Sequence, residues 1–208
     1  MPTVRNFNLQ GLNLGLSPFL QGEGQFIRLV NVDPYPTGAL TKRAGYGTVH
    51  SVLGGTINTL WDWHKADGTQ FNLYSFAGGT VFYSSQGTAD WAVAGNGTMT
   101  NGAHIGYGIL EETMMIGDGT VASRHTTDGT SFTNTAGAPI AFDFQDYQGR
   151  MYAIGTAQAM FYSNVGTATD WTNDSSSIDI PGPGRLHTIM KVSDRLTTSK
   201  NSGVMYRY

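Results

Sequence analysis

Two stretches of this chain are near-copies of one another. Phe82-Tyr83-Ser84-Ser85-Gln86-Gly87-Thr88-Ala89-Asp90-Trp91 recurs as Phe161-Tyr162-Ser163-Asn164-Val165-Gly166-Thr167-Ala168-Thr169-Asp170-Trp171. The copies begin 79 residues apart, which is twice a period of about 40 residues, the length of a β-propeller blade of four short strands. Such a repeat constrains architecture before function, because a propeller can serve as an enzyme, a lectin or a building block.

The same period runs through the whole second part of the chain. Each unit opens with a strand-like stretch, turns tightly, and continues through a second and a third stretch separated by glycine. The first stretches are Ile57 to Trp63, Ile105 to Ile109, Ile140 to Phe144 and Leu186 to Val192. Second stretches begin near residues 71, 113, 150 and 195, at intervals of 42, 37 and 45. The expected fold is all-β, with propeller-like blades of about 40 residues over 57–208. There are about four blades and the last is incomplete. A β-sandwich with similar turn spacing is the alternative.

Residues 1–56 read differently. Asp33-Pro34-Tyr35-Pro36-Thr37-Gly38 marks a turn between extended pieces. The apolar content is too low for independent folding, so the expectation is an extended N-terminal arm with one or two strands. The fourth unit reaches Tyr208 while a third strand should still be running. A closed propeller needs about four complete blades or more, so strands from the arm, partner chains or a continuing polypeptide would finish it. The last is the expectation.

Composition excludes several classes. The chain has 28 glycines, only 13% charged residues and 12% aromatics, as expected for many short strands joined by tight turns. Net charge is −3, and the 12 basic residues form no run, so there is no electrostatic footprint for nucleic acid. With no cysteine, disulfides, thiolate metal sites and cysteine nucleophiles are excluded. No 18-residue apolar run is present to span a membrane. The N-terminus lacks the basic and apolar stretches of a signal peptide, so synthesis in a cytoplasm is expected. The sequons at Asn96 and Asn173 carry no weight without a secretory signal.

Candidate chemistry is sparse. Thr126-Thr127-Asp128-Gly129-Thr130-Ser131-Phe132 is similar to the Asp-box turn of sialidase-type propellers, a structural turn remote from catalysis. A sialidase-like site needs an arginine cluster and a Tyr–Glu pair. Of eight arginines only Arg150 and Arg195 occupy equivalent positions, and two of the three glutamates, Glu111 and Glu112, are adjacent. Adjacent strand residues face opposite ways, so a hydrolase is disfavoured. His64, His104 and His187 fall in or beside first strands, where a repeated packing position is expected rather than a metal site. Asp67, Asp118 and Asp128 each precede Gly-Thr and read as hairpin turns rather than calcium ligands. Trp61 and Trp63 share a strand face and are candidates for stacking on a sugar, although such residues more often anchor a core.

One resemblance emerges from these residues. Gly11-Leu12-Asn13, Glu23-Gly24, Asn31-Val32, Gly38, Leu40, Lys42-Arg43 and Gly45-Tyr46 resemble the opening of tailed-bacteriophage tail proteins of the β-propeller nozzle or tail-hub type. Phe161-Tyr162-Ser163 to Asp170-Trp171 is similar to that family's blade turn. Ile178-Asp179-Ile180, Gly184, Leu186-His187 and Arg195-Leu196 to Tyr206 resemble its next blade. Those proteins are usually much longer than 208 residues.

The resemblance implies a non-enzymatic virion component around the DNA exit channel of the tail, assembled in the host cytoplasm. Copies would form a homo-oligomeric ring and dock to portal, adaptor or other tail proteins. Genomic DNA would pass without specific binding, since a mildly acidic wall does not hold phosphates. No catalytic, cofactor-binding or metal-ligating residue is carried over. Phe19, Phe26 and Tyr35 are expected to reach a neighbouring subunit, with Arg43 and Tyr46 pinning the arm to the first blade. The alternative reading is a carbohydrate-binding propeller for host-surface glycans. Replacing Tyr46 with Ala is expected to lower the yield of assembled particles more than it lowers blade stability; normal particle yield from that variant counts against the arm contact.

Overall fold

The computed structural model describes residues 11–12, 25–26, 32–34, 40–42, 51–65, 68, 71–85, 90–156, 158–172, 176–203 and 205–207. The chain divides into two compact units, Met1–Thr48 and Val49–Tyr208. In the first unit β1 (Gly11–Leu12) pairs in parallel with β2 (Gln25–Phe26). There β3 (Val32–Pro34) and β4 (Leu40–Lys42) pair antiparallel, with Val32 opposite Lys42. The five arm residues singled out above (Phe19, Phe26, Tyr35, Arg43 and Tyr46) lie outside the described side chains.

The second unit is a series of antiparallel meanders. Blade 1 comprises β5 (Ile57–His64), β6 (Phe71–Ala77), β7 (Thr80–Ser85) and β8 (Ala92–Thr98). Blade 2 comprises β9 (Gly106–Leu110), β10 (Thr113–Gly117), β11 (Arg124–Thr126) and β12 (Thr133–Asn134). Blade 3 comprises β13 (Ala141–Tyr147), β14 (Arg150–Gly155), β15 (Ala159–Tyr162) and β16 (Ser176–Asp179). Blade 4 has three described strands, β17 (Leu186–Val192), β18 (Arg195–Lys200) and β19 (Met205–Arg207). The fold is all-β and propeller-like, and the second strands begin at 71, 113, 150 and 195 as the period requires. One segment moves: Ser176–Asp179 pairs with β15 as the outer strand of blade 3, so Ile178-Asp179 belongs there and not to the next blade.

The hairpins form because the turn residues accept positive φ. Between β13 and β14, Gln148 (φ 48°) and Gly149 (φ 71°) make a two-residue loop whose twist matches that of the flanking strands. The cores sit between blades, because alternate side chains of each strand point to opposite sheet faces. Trp61, Trp63, Tyr74 and Phe76 of blade 1 pack with Met114, Ile116 and Phe132 of blade 2. Met115 packs with Phe144, Met151 and Trp171. Ile154 and Met160 pack with Ile189 and Leu196.

Where first strands converge there is no room for side chains. A Cβ on Gly106 would overlap the Phe142 carbonyl, and one on Gly117 would overlap the Ala141 carbonyl. One on Gly108 would lie 2.7 Å from the Phe144 Cβ. Packed sheets normally stand about 10 Å apart, so glycine is what lets blades 2 and 3 close at this end. Gly106→Ala and Gly117→Ala are each expected to lower unfolding free energy by about 1–3 kcal/mol, the usual cost of overpacking. Gly54→Ala, where nothing lies within 4 Å, should leave it unchanged. Urea denaturation of the three variants checks this.

Candidate functional site

The aspartates serve as backbone anchors. In the Asp-box turn, Asp128 Oδ1 accepts from the N–H groups of Thr130 (2.8 Å) and Ser131 (2.9 Å) and from the Thr126 hydroxyl (3.0 Å). Its Oδ2 accepts from the Ser131 hydroxyl at 2.9 Å. The turn is gripped by blade 1: the Tyr74 hydroxyl and Asn72 Nδ2 both donate to the Gly129 carbonyl, at 2.7 and 2.9 Å. Phe132, fully buried, packs edge-on against Tyr74. In the repeated segment, Ser163 Oγ donates to the Thr167 carbonyl (2.6 Å) and Trp171 Nε1 to the Ala168 carbonyl (2.8 Å). The second copy of the repeat is thus a structural turn closed by its own hydrogen bonds.

A second set of polar groups joins blades near the start of their first strands. Asp118, after β10, accepts from Thr120 and Val121 N–H on Oδ1 and from Thr100 N–H on Oδ2, the last at 2.7 Å. Asp143, at a bulge in β13, accepts on Oδ2 from the Thr188 hydroxyl (2.9 Å) and Ile189 N–H (3.0 Å) of blade 4. Thr59, at the matching bulge in β5, accepts from Ile105 N–H at 2.9 Å. A bulge re-aims a side chain across the sheet, which is what lets one residue reach the next blade.

The Asp118 and Asp143 locks wall one side of a cleft of about 770 Å³, lined by Ala103, His104, Asp118–Thr120, Phe142–Asp143, Thr156, Arg185 and His187–Thr188. The lining comes from the ends of inner strands in blades 2, 3 and 4. Its electrostatics differ from point to point. Burial disfavours ionisation of Asp143 and holds its carboxyl above the ordinary range, despite the donors from Ile189, Thr188 and Phe144 and the charge of His104. Burial also opposes ionisation of Asp118, but there the N–H donors of Val121, Thr100 and Thr120 prevail and the carboxyl lies below its ordinary range. Asp128 behaves like Asp118, and more strongly.

Several sequence-derived expectations change. Trp61 and Trp63 are 3% and 0% exposed; Trp61 stacks on Tyr74 and its Nε1 faces the Met114 sulfur. They are core residues with no ring face open to a sugar. His64, His104 and His187 are exposed rather than packed, and His104 and His187 both line the cleft. Glu111 and Glu112 form the β9–β10 turn, with Glu111 at φ 53°. Arg150 and Arg195 do open equivalent strands, but Arg150 is held by the Ser163 carbonyl (2.7 Å) and the Tyr162 ring. Asp67 lies outside the described residues, and Asp118 and Asp128 close their own turns. The cleft was missed because its members are isolated single residues far apart in sequence.

No protein-family model matches the chain, and no curated protein matches it. Solved structures do. The computationally designed Ika4 protein is similar with a TM-score of 0.55 at 9% identity, over 79% of this chain and 98% of that one. YCF48 bound to D1 peptide is similar with a TM-score of 0.50 at 16% identity, over 94% of this chain and 67% of that one. The glutaminyl cyclase of Myxococcus xanthus aligns with a TM-score of 0.39 at 13% identity, over 71% and 72%. The first two, at such identities, speak for the fold alone.

The two kinds of aspartate predict opposite pH effects. Asp118 and Asp128 have lowered folded-state pKa values, so their contribution is present above the ordinary carboxylate range and lost as pH falls toward the folded values. Asp143, raised, contributes most at low pH and loses that contribution as pH rises through its folded value. Urea unfolding followed from pH 6 down to pH 3, taking about 4 as the ordinary carboxylate value, should reveal a steep acid limb that is shallower in Asp128→Asn.

Proposed function

We propose that this chain is a non-enzymatic structural component of a tailed-phage virion, a nozzle or tail-hub protein that assembles with copies of itself and with portal, adaptor or other tail proteins. The observation that supports it most is the exposure of apolar side chains on the outer sheet faces of both end blades. In blade 1 the face turned away from blade 2 carries the cross-strand row Leu60, Ser75, Phe82 and Val93, in which Leu60 (58%) and Val93 (63%) are exposed, Phe82 is half-buried and Ser75 is buried. In blade 4 the face opposite the Ile189–Leu196 core carries Met190, Val192 and Met205, the last 65% exposed. Internal blades bury such faces against each other, so the outer pair suits contact with further sheets.

The fate of the polar groups supports the same reading. Asp118, Asp128 and Asp143 are spent on turn and blade locks, an investment in a rigid wall. The sequence resemblance supplies the tail assignment and the ring, and the virion location follows from it.

Native mass spectrometry tests the proposal. The wild-type protein should run as a discrete multimer at micromolar concentration. The Leu60→Asp/Met205→Asp double variant should run as a monomer with an unchanged far-ultraviolet spectrum. A wild-type monomer that also fails to bind purified tail proteins would overturn the structural reading.

A further inference from the structure

The cleft between blades 2, 3 and 4 has an imbalance of hydrogen-bonding capacity. Its two carboxylates are occupied: Asp118 takes three backbone N–H donors, and Asp143 takes the Thr188 hydroxyl and the Ile189 and Phe144 N–H groups. Its cationic and imidazole side chains are not occupied in this way. The Arg185 guanidinium is exposed and makes no hydrogen bond or ion pair among the described residues; only the Arg185 backbone is engaged, its N–H donating to Asn201 Oδ1 at 3.0 Å and its carbonyl accepting from the Asn201 N–H at 3.0 Å. The rings of His104 and His187 are likewise exposed. The group the cleft leaves most open to a guest is the Arg185 guanidinium, a donor fork with a positive charge, so the complementary guest carries an acceptor-rich, negatively charged group.

We propose that this cleft is a binding site for a ligand bearing a single carboxylate, with Arg185 as the carboxylate anchor and His104 and His187 as flanking contacts. The proposal goes beyond the assembly role and does not depend on it. Three observations carry it. The volume, about 770 Å³, falls in the range of small-ligand sites, roughly 300–1,000 Å³. The planar guanidinium matches a carboxylate through two parallel N–H bonds. Asp118 and Asp143 stand in the same wall, and their charge repels a multiply charged phosphate more than a single carboxylate. Around this polar group Ala103 and the Phe142 side chain give apolar contact, and the hydroxyls of Thr120 and Thr156 give orientation.

A carboxylate of this kind can come from an acidic sugar or from the free end of a peptide, and the experiment separates the two. N-acetylneuraminic acid and the peptide acetyl-Gly-Gly-Ala are each titrated into the full chain by isothermal calorimetry, beside the methyl ester of the first and the C-terminal amide of the second. One of the two acids should bind, and its neutral counterpart should bind at least about tenfold more weakly. Arg185→Gln should weaken that acid by about tenfold or more, with an unchanged urea midpoint, because the guanidinium holds nothing else among the described residues. Arg195→Gln, at the β17–β18 hairpin outside the cleft, should bind as the wild type does. Absence of binding by both acids at 10 mM, about ten times the weakest useful dissociation constant near 1 mM, overturns the proposal. So does binding that survives Arg185→Gln, or inorganic phosphate binding as tightly as the acid.

Discussion

The second unit rests on how closely two sheets can approach where their first strands meet. At Gly106, Gly108 and Gly117 the neighbouring blade presents the backbone of Ala141–Phe144 so near that a single Cβ meets a carbonyl or another Cβ. Elsewhere between the same two blades the gap is filled by Met115, Met151 and Trp171, all buried. The two conditions define a wedge, with backbone against backbone at one edge and large side chains further out. Blades that met with side chains at the narrow edge would stand parallel, as in a sandwich. Glycine at the edge is therefore what converts a stack of meanders into a propeller-like arrangement.

A wedge also strands polar backbone groups at the junctions, and the chain answers with short oxygen-bearing side chains. Thr59 takes the N–H of Ile105, Asp143 that of Ile189, and Asp118 that of Thr100. An orphaned buried N–H costs about 1–3 kcal/mol, so each lock removes a penalty as well as fixing a blade angle. The contrast between Asp118 and Asp143 illustrates which effect wins. Both are penalised by burial, and the donors around Asp118 outweigh that penalty while those around Asp143 do not. The same residue type thus ends on opposite sides of its ordinary range, because the balance between burial and hydrogen-bond donors falls differently at the two sites.

Much of this was legible in the sequence, and the parts that were not have a common cause. First and second strands announce themselves by alternating apolar residues and by turn pairs such as Gln148-Gly149, since these strands have one face in a core. Outer strands such as Ala92–Thr98 and Thr133–Asn134 are largely exposed or polar, so hydrophobic periodicity passes over them. Ile178-Asp179, which the resemblance places in the next blade, pairs instead with β15 as the outer strand of blade 3. The Asp-box turn was legible because its hydrogen bonds join residues at most three apart. Trp61 and Trp63 share a face as expected, but which face meets a neighbouring sheet is a property of the blade pairing, and that decided between core and surface.

The cleft belongs to a class of feature that local pattern cannot reveal. His104 precedes β9, Asp118 follows β10, Asp143 sits at a bulge in β13, and Arg185 and His187 flank the start of β17. Each alone is an ordinary polar residue near a turn, and the blade period is what brings them to one place: equivalent ends of successive inner strands must converge. The requirements of the scaffold are few: glycine at the narrow edge, an oxygen at each junction, and alternation along the strands. Propeller-like structures at 9% and 16% identity can therefore share it while differing almost everywhere else. The strand ends around the cleft lie outside those requirements wherever a side chain makes no lock, as at Arg185 and His187. Residues left unconstrained by folding are where a function distinct from folding can be written.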